Sequence, residues 1–260
     1  MQITGNTILI TGGSSGIGRA LAQALHKEGN HVIVAGRRKS LLDEVTASNP
    51  GMKSAVLDVQ DIDALPDFAA QIASQYPSLN VLINNAGIMK TENLNDPGAD
   101  FEVVEATIET NFIAPLRLTA ALLPHLRKQP RTAVINVTSG LAFVPLALTP
   151  AYCATKAAIH SWTQSLRYQL RNTSVQVMEL APPYVQTELM GPHQMQDPRA
   201  MPLADFIAEV MEILRTQPDA KEILVQRVLP LRYAAEQGHE KYDQFVQTFN
   251  DTMHTETSSH

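Results

Sequence analysis

The chain has 260 residues, 44% of them hydrophobic and 18% charged, which is enough to bury one large α/β core. The net charge is −6 with no block of like charge, which argues against nucleic acid or an anionic membrane as the main partner. One cysteine, Cys153, excludes an intrachain disulfide framework; with no membrane-length apolar run and no leader pattern in Met1–Gly5, a reducing cytoplasm is expected.

The first predicted strand spans residues 6–10 and runs into Thr11-Gly12-Gly13-Ser14-Ser15-Gly16-Ile17-Gly18. A helical pattern follows, with Ala20, Leu21, Ala24 and Leu25, and ends at Gly29. Glycines at 12, 16 and 18 permit unusual backbone angles and close approach of a ligand. The free N–H groups that open the helix favour a pyrophosphate. The spacing G-x-x-x-G-x-G departs from the usual dinucleotide fingerprint.

The second strand, 31–36, ends at Gly36-Arg37-Arg38. A dinucleotide fold that prefers NAD places a carboxylate there for the ribose 2′-hydroxyl. Two arginines stand in its place, and a guanidinium suits a 2′-phosphate. NADP(H) is therefore expected over NAD(H), with Arg37 as the main phosphate ligand. Nothing basic lies inside the glycine turn, which keeps NAD open. Further strands are predicted over 54–58, 80–85, 132–138 and 175–181, with a seventh near Glu222–Val225. Helices fill the gaps, one of them from about 151 to 171. Apolar β-branched runs alternating with helices predict one domain, 1–260, built on a parallel sheet of about seven strands covered on both faces.

Tyr152-Cys153-Ala154-Thr155-Lys156 places a phenol and an ammonium one turn apart on one helical face. A phenol titrates near pH ~10 and is a weak acid or base at neutrality. A neighbouring cation is expected to lower that value toward the operating range. Cys153, beside Tyr152, is turned away by about 100° and reads as a small buried residue. The eight histidines show no metal-ligand spacing, and no metal is expected.

Taken together these motifs resemble the short-chain dehydrogenase/reductase family over about residues 5–190, in the family's order. Val137–Pro145 also looks like the DltE-like branch. The resemblance implies a doubly wound, Rossmann-type α/β fold. It implies cofactor contacts at Gly12, Ser14, Ser15, Gly16, Ile17 and Gly18. Further contacts are implied at Asp58 and Val59, where the family holds the adenine, and at Asn84, Ala86 and Gly87 of the fourth-strand motif. A catalytic tetrad of Asn111, Ser139, Tyr152 and Lys156 is implied. In it Tyr152 exchanges the proton and Lys156 lowers its pKa and binds the ribose. Ser139 orients the substrate oxygen, and Asn111 holds a water that relays protons through Lys156. Read singly, Ser139 is a turn residue, Asn111 a local backbone partner and Tyr152 a core aromatic.

After the sixth strand the family has Pro-Gly and then a Thr near the nicotinamide amide. Here Pro182 and Thr187 match, but Pro183 replaces the glycine and removes an N–H. Residues 188–215 form the expected substrate region, a loop and then a helix beginning near Leu203. Met190, Met195 and Met201 suggest an adaptable apolar wall. With Leu141, Phe143, Val144, Leu146 and Tyr184 expected nearby, the substrate is expected to be an uncharged apolar ketone, aldehyde or secondary alcohol. The extension 230–260 reads equally as a helix packed on its own domain or as a dimer contact. A homodimer or homotetramer is implied, through helices near 102–128 and 151–171, with Ile159 and Trp162 at the interface or in the core. The alternatives are an NAD-dependent alcohol dehydrogenase and a non-catalytic dinucleotide-binding sensor or scaffold.

Overall fold

Strand and helix alternate along most of the chain, and a computed structural model describes residues 1–95 and 101–254. In order the elements are β1 (Thr7–Thr11), α1 (Gly16–Lys27), β2 (His31–Gly36), α2 (Lys39–Ser48), β3 (Lys53–Val56), α3 (Leu65–Gln75) and β4 (Leu79–Asn84). Then come α4 (Phe101–Ile108), a π-helical turn (Glu109–Ile113), α5 (Ala114–Leu126), β5 (Thr132–Val137), α6 (Pro150–Gln169) and β6 (Val175–Leu180). The chain continues through α7 (Leu203–Thr216), β7 (Glu222–Ile223), α8 (Leu229–Arg232) and α9 (His239–His254). Of the expected extension, residues 255–260 lie outside the described residues.

The strands pair in the order β3-β2-β1-β4-β5-β6-β7, all parallel, as the sequence predicted. Successive side chains on a strand face opposite sides, so β1 feeds two cores. Ile8 and Ile10 pack with Leu21 and Leu25 of α1 and Phe206 and Val210 of α7. Leu9 packs on the other face with Ile72 of α3, Leu118 and Leu122 of α5 and Leu166 of α6. Each fully buried aliphatic side chain contributes roughly 1.5–3 kcal/mol, and both faces of the sheet are buried this way. The order in which strands are added across the sheet reverses between β1 and β4, the position where open α/β sheets form a crevice beyond the strand ends.

Element ends moved by a residue or two. β7 stops at Ile223 rather than Val225, because Gln226–Val228 turns into a short 3-10 segment ahead of α8. The long helix expected near 102–128 is interrupted by the π turn at Glu109–Ile113. Ile159 lies in the core, and Trp162 is half-buried against the core on the α3, α5 and α6 side. Among the described residues, no helix is long and apolar enough to cross a membrane.

Candidate active site

A cavity of about 540 Å³ opens over the carboxyl ends of the strands. At one end it is lined by Ser14, Ser15, Gly36, Arg37 and Arg38; in the middle by Gly12, Gly16, Ile17, Gly18, Ala86 and Gly87; and further on by Ser139, Tyr152, Lys156, Pro182 and Thr187. The structure thus brings most of the sequence-predicted site residues to one wall of space.

The glycine turn has its shape because β1 and β4 meet there. Gly12 sits at φ +67°, and a Cβ on it would lie 2.9 Å from the Ala86 Cα. A Cβ on Gly18 would run into the Asn85 amide. Thr11 fastens the same seam: its Oγ1 accepts from the N–H groups of Asn85 and Ala86, both at 3.1 Å. Asn85 Nδ2 donates back to the Thr11 carbonyl at 3.0 Å. At the start of α1, Ser15 makes no side-chain cap and no acidic residue stands in the first turn. The opening N–H groups therefore face the cavity without a side-chain partner. Arg38 donates to Ser15 Oγ at 2.9 Å, and Arg37 to Gln60 Oε1 at 3.1 Å.

Tyr152 and Lys156 lie in the first two turns of α6, and each is only 5% exposed. Lys156 Nζ donates to the Val137 carbonyl at 2.8 Å and stands 5.5 Å from the Tyr152 ring centre. Burial lowers the Lys156 ammonium to about 8. The expected lowering of Tyr152 is not found: burial pushes the phenol well above its usual value, and a hydrogen bond with Ser139 only partly offsets it. Stripping water from a phenolate costs more than that partner returns. Ser139 serves two purposes, since its Oγ also accepts from Leu141 N at 3.1 Å and caps the short turn Gly140–Ala142.

Three predicted residues sit off the cavity wall. Asn84 is buried beneath it and donates to Thr119 Oγ1 and Asn136 Oδ1; its neighbour Asn85 lines the space instead. Asp58 is exposed and accepts from Gln60 N at 3.0 Å, while Val59 lines the cavity. Asn111 lies in the π turn and spends its amide on structure. Its Oδ1 accepts from Ile88 N at 2.9 Å, and its Nδ2 donates to Ile88 O at 2.9 Å and Thr155 Oγ1 at 3.2 Å. It braces the Gly87–Ile88 turn: a Cβ on Gly87 would lie 3.3 Å from Asn111 Oδ1 and 3.8 Å from Lys156 Nζ.

The apolar end also differs from expectation. Of the three loop methionines only Met190 lines the cavity; Met195 points outward and Met201 is buried in the core beside Val185. Met89, Leu231, Phe249 and Met253 are there unforeseen, as are Gln194 and Lys90. Buried Gln194 holds the loop by donating to Val185 O at 2.7 Å and Thr187 Oγ1 at 3.1 Å. Cys153 is buried against Leu146, and burial raises its thiol. His160, Glu179 and Glu222 place ligand atoms within 4.8 Å of one another, but Thr138 and Arg232 already bond the two carboxylates.

Comparison with known proteins agrees with this geometry. The model of the short chain dehydrogenase family matches residues 6–197. A solved short chain dehydrogenase from Burkholderia cenocepacia J2315, in complex with NADP, superposes with a TM-score of 0.79 at 25% identity, covering 96% of this chain and 99% of that one. The chain belongs to the short-chain dehydrogenase/reductase family and is an oxidoreductase of that family. Within the family it falls in the DltE-like branch. It is 49% identical over 189 residues to the uncharacterized oxidoreductase DltE of Bacillus subtilis (strain 168), covering 73% of this chain and 75% of that protein. An uncharacterized oxidoreductase of Staphylococcus aureus (strain USA300) is 31% identical over 231 residues, 87% of this chain and 99% of that one.

Proposed function

We propose that the protein is an NADP(H)-dependent reductase of small, apolar carbonyl compounds, the reverse oxidation being available to it. The observation that carries this reading is the meeting of Ser139, Tyr152 and Lys156 in one cavity that continues to the open N-terminus of α1. The cavity fits a dinucleotide on several grounds. The N–H groups of α1 suit a pyrophosphate. Arg37 and Arg38 flank the far end, where a carboxylate would repel a 2′-phosphate. Thr110 Oγ1 is buried on the wall with no partner among the described residues. Arg37, Arg38, the glycine turn, Val59, Asn85, Lys156 and Thr187 would hold the cofactor, which supplies or accepts the hydride.

The rest is the work of this chain. Tyr152 gives its proton to the carbonyl oxygen in reduction and recovers it from the alcohol in oxidation. Its raised pKa keeps it protonated at neutral pH, the form that reduction uses as the acid. Ser139 donates to the substrate oxygen and holds it against the phenol. Lys156 places a positive charge beside the phenol ring. Asn111 acts one step back, by fixing the turn that ends in Ile88. Self-association through exposed faces of α5 and α6 and residence in a reducing cytoplasm complete the reading.

The test is steady-state reduction of an apolar ketone series with NADPH and with NADH. Tyr152→Phe should lower kcat/KM by about 10²–10⁴-fold while leaving NADPH affinity intact. Arg37→Asp should move the NADPH/NADH preference toward NADH. An unchanged ratio would sink the phosphate assignment. Equal turnover by Tyr152→Phe would sink the mechanism.

A further inference from the structure

The cavity continues past Tyr152 to a wall that the family model does not cover, since its match ends at residue 197. Phe249 and Met253 form that wall. They are four residues apart on α9, hence on one helical face, and both line the cavity. They pack against the buried cluster of Met89, Leu146, Tyr152 and Cys153, which joins their apolar surface to the cluster that holds the phenol. Phe245 backs the Phe249 ring in a stacked pair, centroids 6.4 Å apart.

The helix that carries them is fixed in register by its own side chains. Asn250 Nδ2 donates to the Pro145 carbonyl at 3.0 Å, and Asn250 Oδ1 accepts from Ala147 N at 2.6 Å. Tyr242 OH donates to the Phe143 carbonyl at 3.0 Å. Residues 242 and 250 are two turns apart, so both anchors fall on one face and hold the helix to the segment leading into α6. A helix that only covered a core would not need to grip backbone carbonyl and amide groups at these points.

We infer that α9 is the specificity wall of the substrate end, with Phe249 and Met253 selecting the carbonyl compound by the size of its apolar group. This deepens the reductase reading and rests on it. The reacting end of the substrate meets Ser139 and Tyr152, and the remainder meets aromatic and thioether surface. A methionine on either side, Met89 and Met253, lets the wall adjust to alkyl or aryl groups. The ligand class is a ketone, or its alcohol, carrying an apolar hydrocarbon group.

Two substitutions of opposite sense test this on the full chain with NADPH, using butanone, octan-2-one, acetophenone and 2-acetonaphthone. Phe249→Ala should raise kcat/KM for 2-acetonaphthone relative to butanone by about tenfold or more, and Phe249→Trp should lower the same ratio. NADPH affinity should stay within about twofold of wild type in both, because the wall lies at the substrate end. General loosening of the fold would lower all four rates together. If Phe249→Ala does not fold, Phe249→Leu and Met253→Ala carry the opening arm. Ratios unchanged in both directions overturn the inference. If wild type reduces none of the four ketones, the hydride-transfer reading fails separately. Calorimetric binding of the same ketones in the presence of NADP⁺ then decides the wall: opposite shifts in affinity uphold it, and equal or absent affinities overturn it.

Discussion

Lys156 shows what the site costs the fold. An ammonium that titrates near 8 when buried and near 10.5 when unfolded opposes folding at neutral pH by about 3 kcal/mol. Its bond to the Val137 carbonyl offsets part of that cost. Lys156→Met should therefore stabilise the protein at pH 7 by about 2 kcal/mol while abolishing turnover. The sign follows from proton binding. Between about 8 and 10.5 the unfolded chain holds a proton that the folded one has released, so wild-type stability gains as pH rises through that window. The advantage of the Met variant should be constant below about 8 and shrink above it. Urea unfolding of the pair across pH 6–10 checks this, since burial holds the folded Tyr152 phenol protonated in both over that range. A Met variant less stable at pH 7 would mean that burial is not what depresses Lys156.

At the scale of the element, α6 begins with an unusual cap. The Thr149 hydroxyl bonds Cys153 Sγ and makes no capping bond to the helix backbone, and Ala151 N instead donates to Glu92 Oε1 at 3.0 Å. Glu92 N in turn donates to the Leu148 carbonyl at 2.9 Å. A carboxylate at a helix N-terminus is favourable both as an acceptor and toward the helix dipole. Glu92→Ala should cost about 1 kcal/mol and reduce kcat, because Tyr152 lies in the turn it steadies. Thermal melts and steady-state rates would show it; an unchanged melting temperature would rule the cap out. This contact also marks where the sequence stops being legible. Tyr152 and Lys156 could be read because one helix fixes their spacing, and the glycine turn because strand and helix flank it. Asn84 and Asn85 could not be told apart: neighbours at a strand end face opposite ways, and pattern alone does not choose. Glu92 acts on Ala151, 59 positions away, and Phe249 and Met253 reach the Tyr152 cluster from the far end of the chain, and local periodicity carries no trace of that. Met195 and Met201 misled for the same reason, since flexibility of type says nothing about direction.

Across the molecule, one buried carboxylate ties β6 to the end of β5 and to α6. Glu179 on β6 is fully buried. It accepts from Thr138 Oγ1, beside Ser139, at 2.7 Å and pairs with His160 Nδ1 on α6 at 2.8 Å. His160 meets the Phe143 ring edge-on, and Arg232 of α8 stands over the same ring while bonding Glu222 of β7. Removing His160 leaves the buried carboxylate short of a hydrogen-bond partner, so His160→Ala should destabilise by about 1–3 kcal/mol. Adding Glu179→Leu should restore part of that loss, because the stranded carboxylate leaves with it. Simple additivity in a double-mutant cycle would dissolve the pair as a unit.

The seam between Thr11, Gly12 and Asn85 has a consequence for how the molecule comes into being. The glycine turn reads as a local motif, yet the bonds that hold it come from residues 74 and 75 positions downstream. A nascent chain that had completed only β1, α1 and β2 would possess every glycine and still lack a shaped anion cradle. Dinucleotide affinity should emerge late in refolding, after helix content has recovered, when β4 docks beside β1.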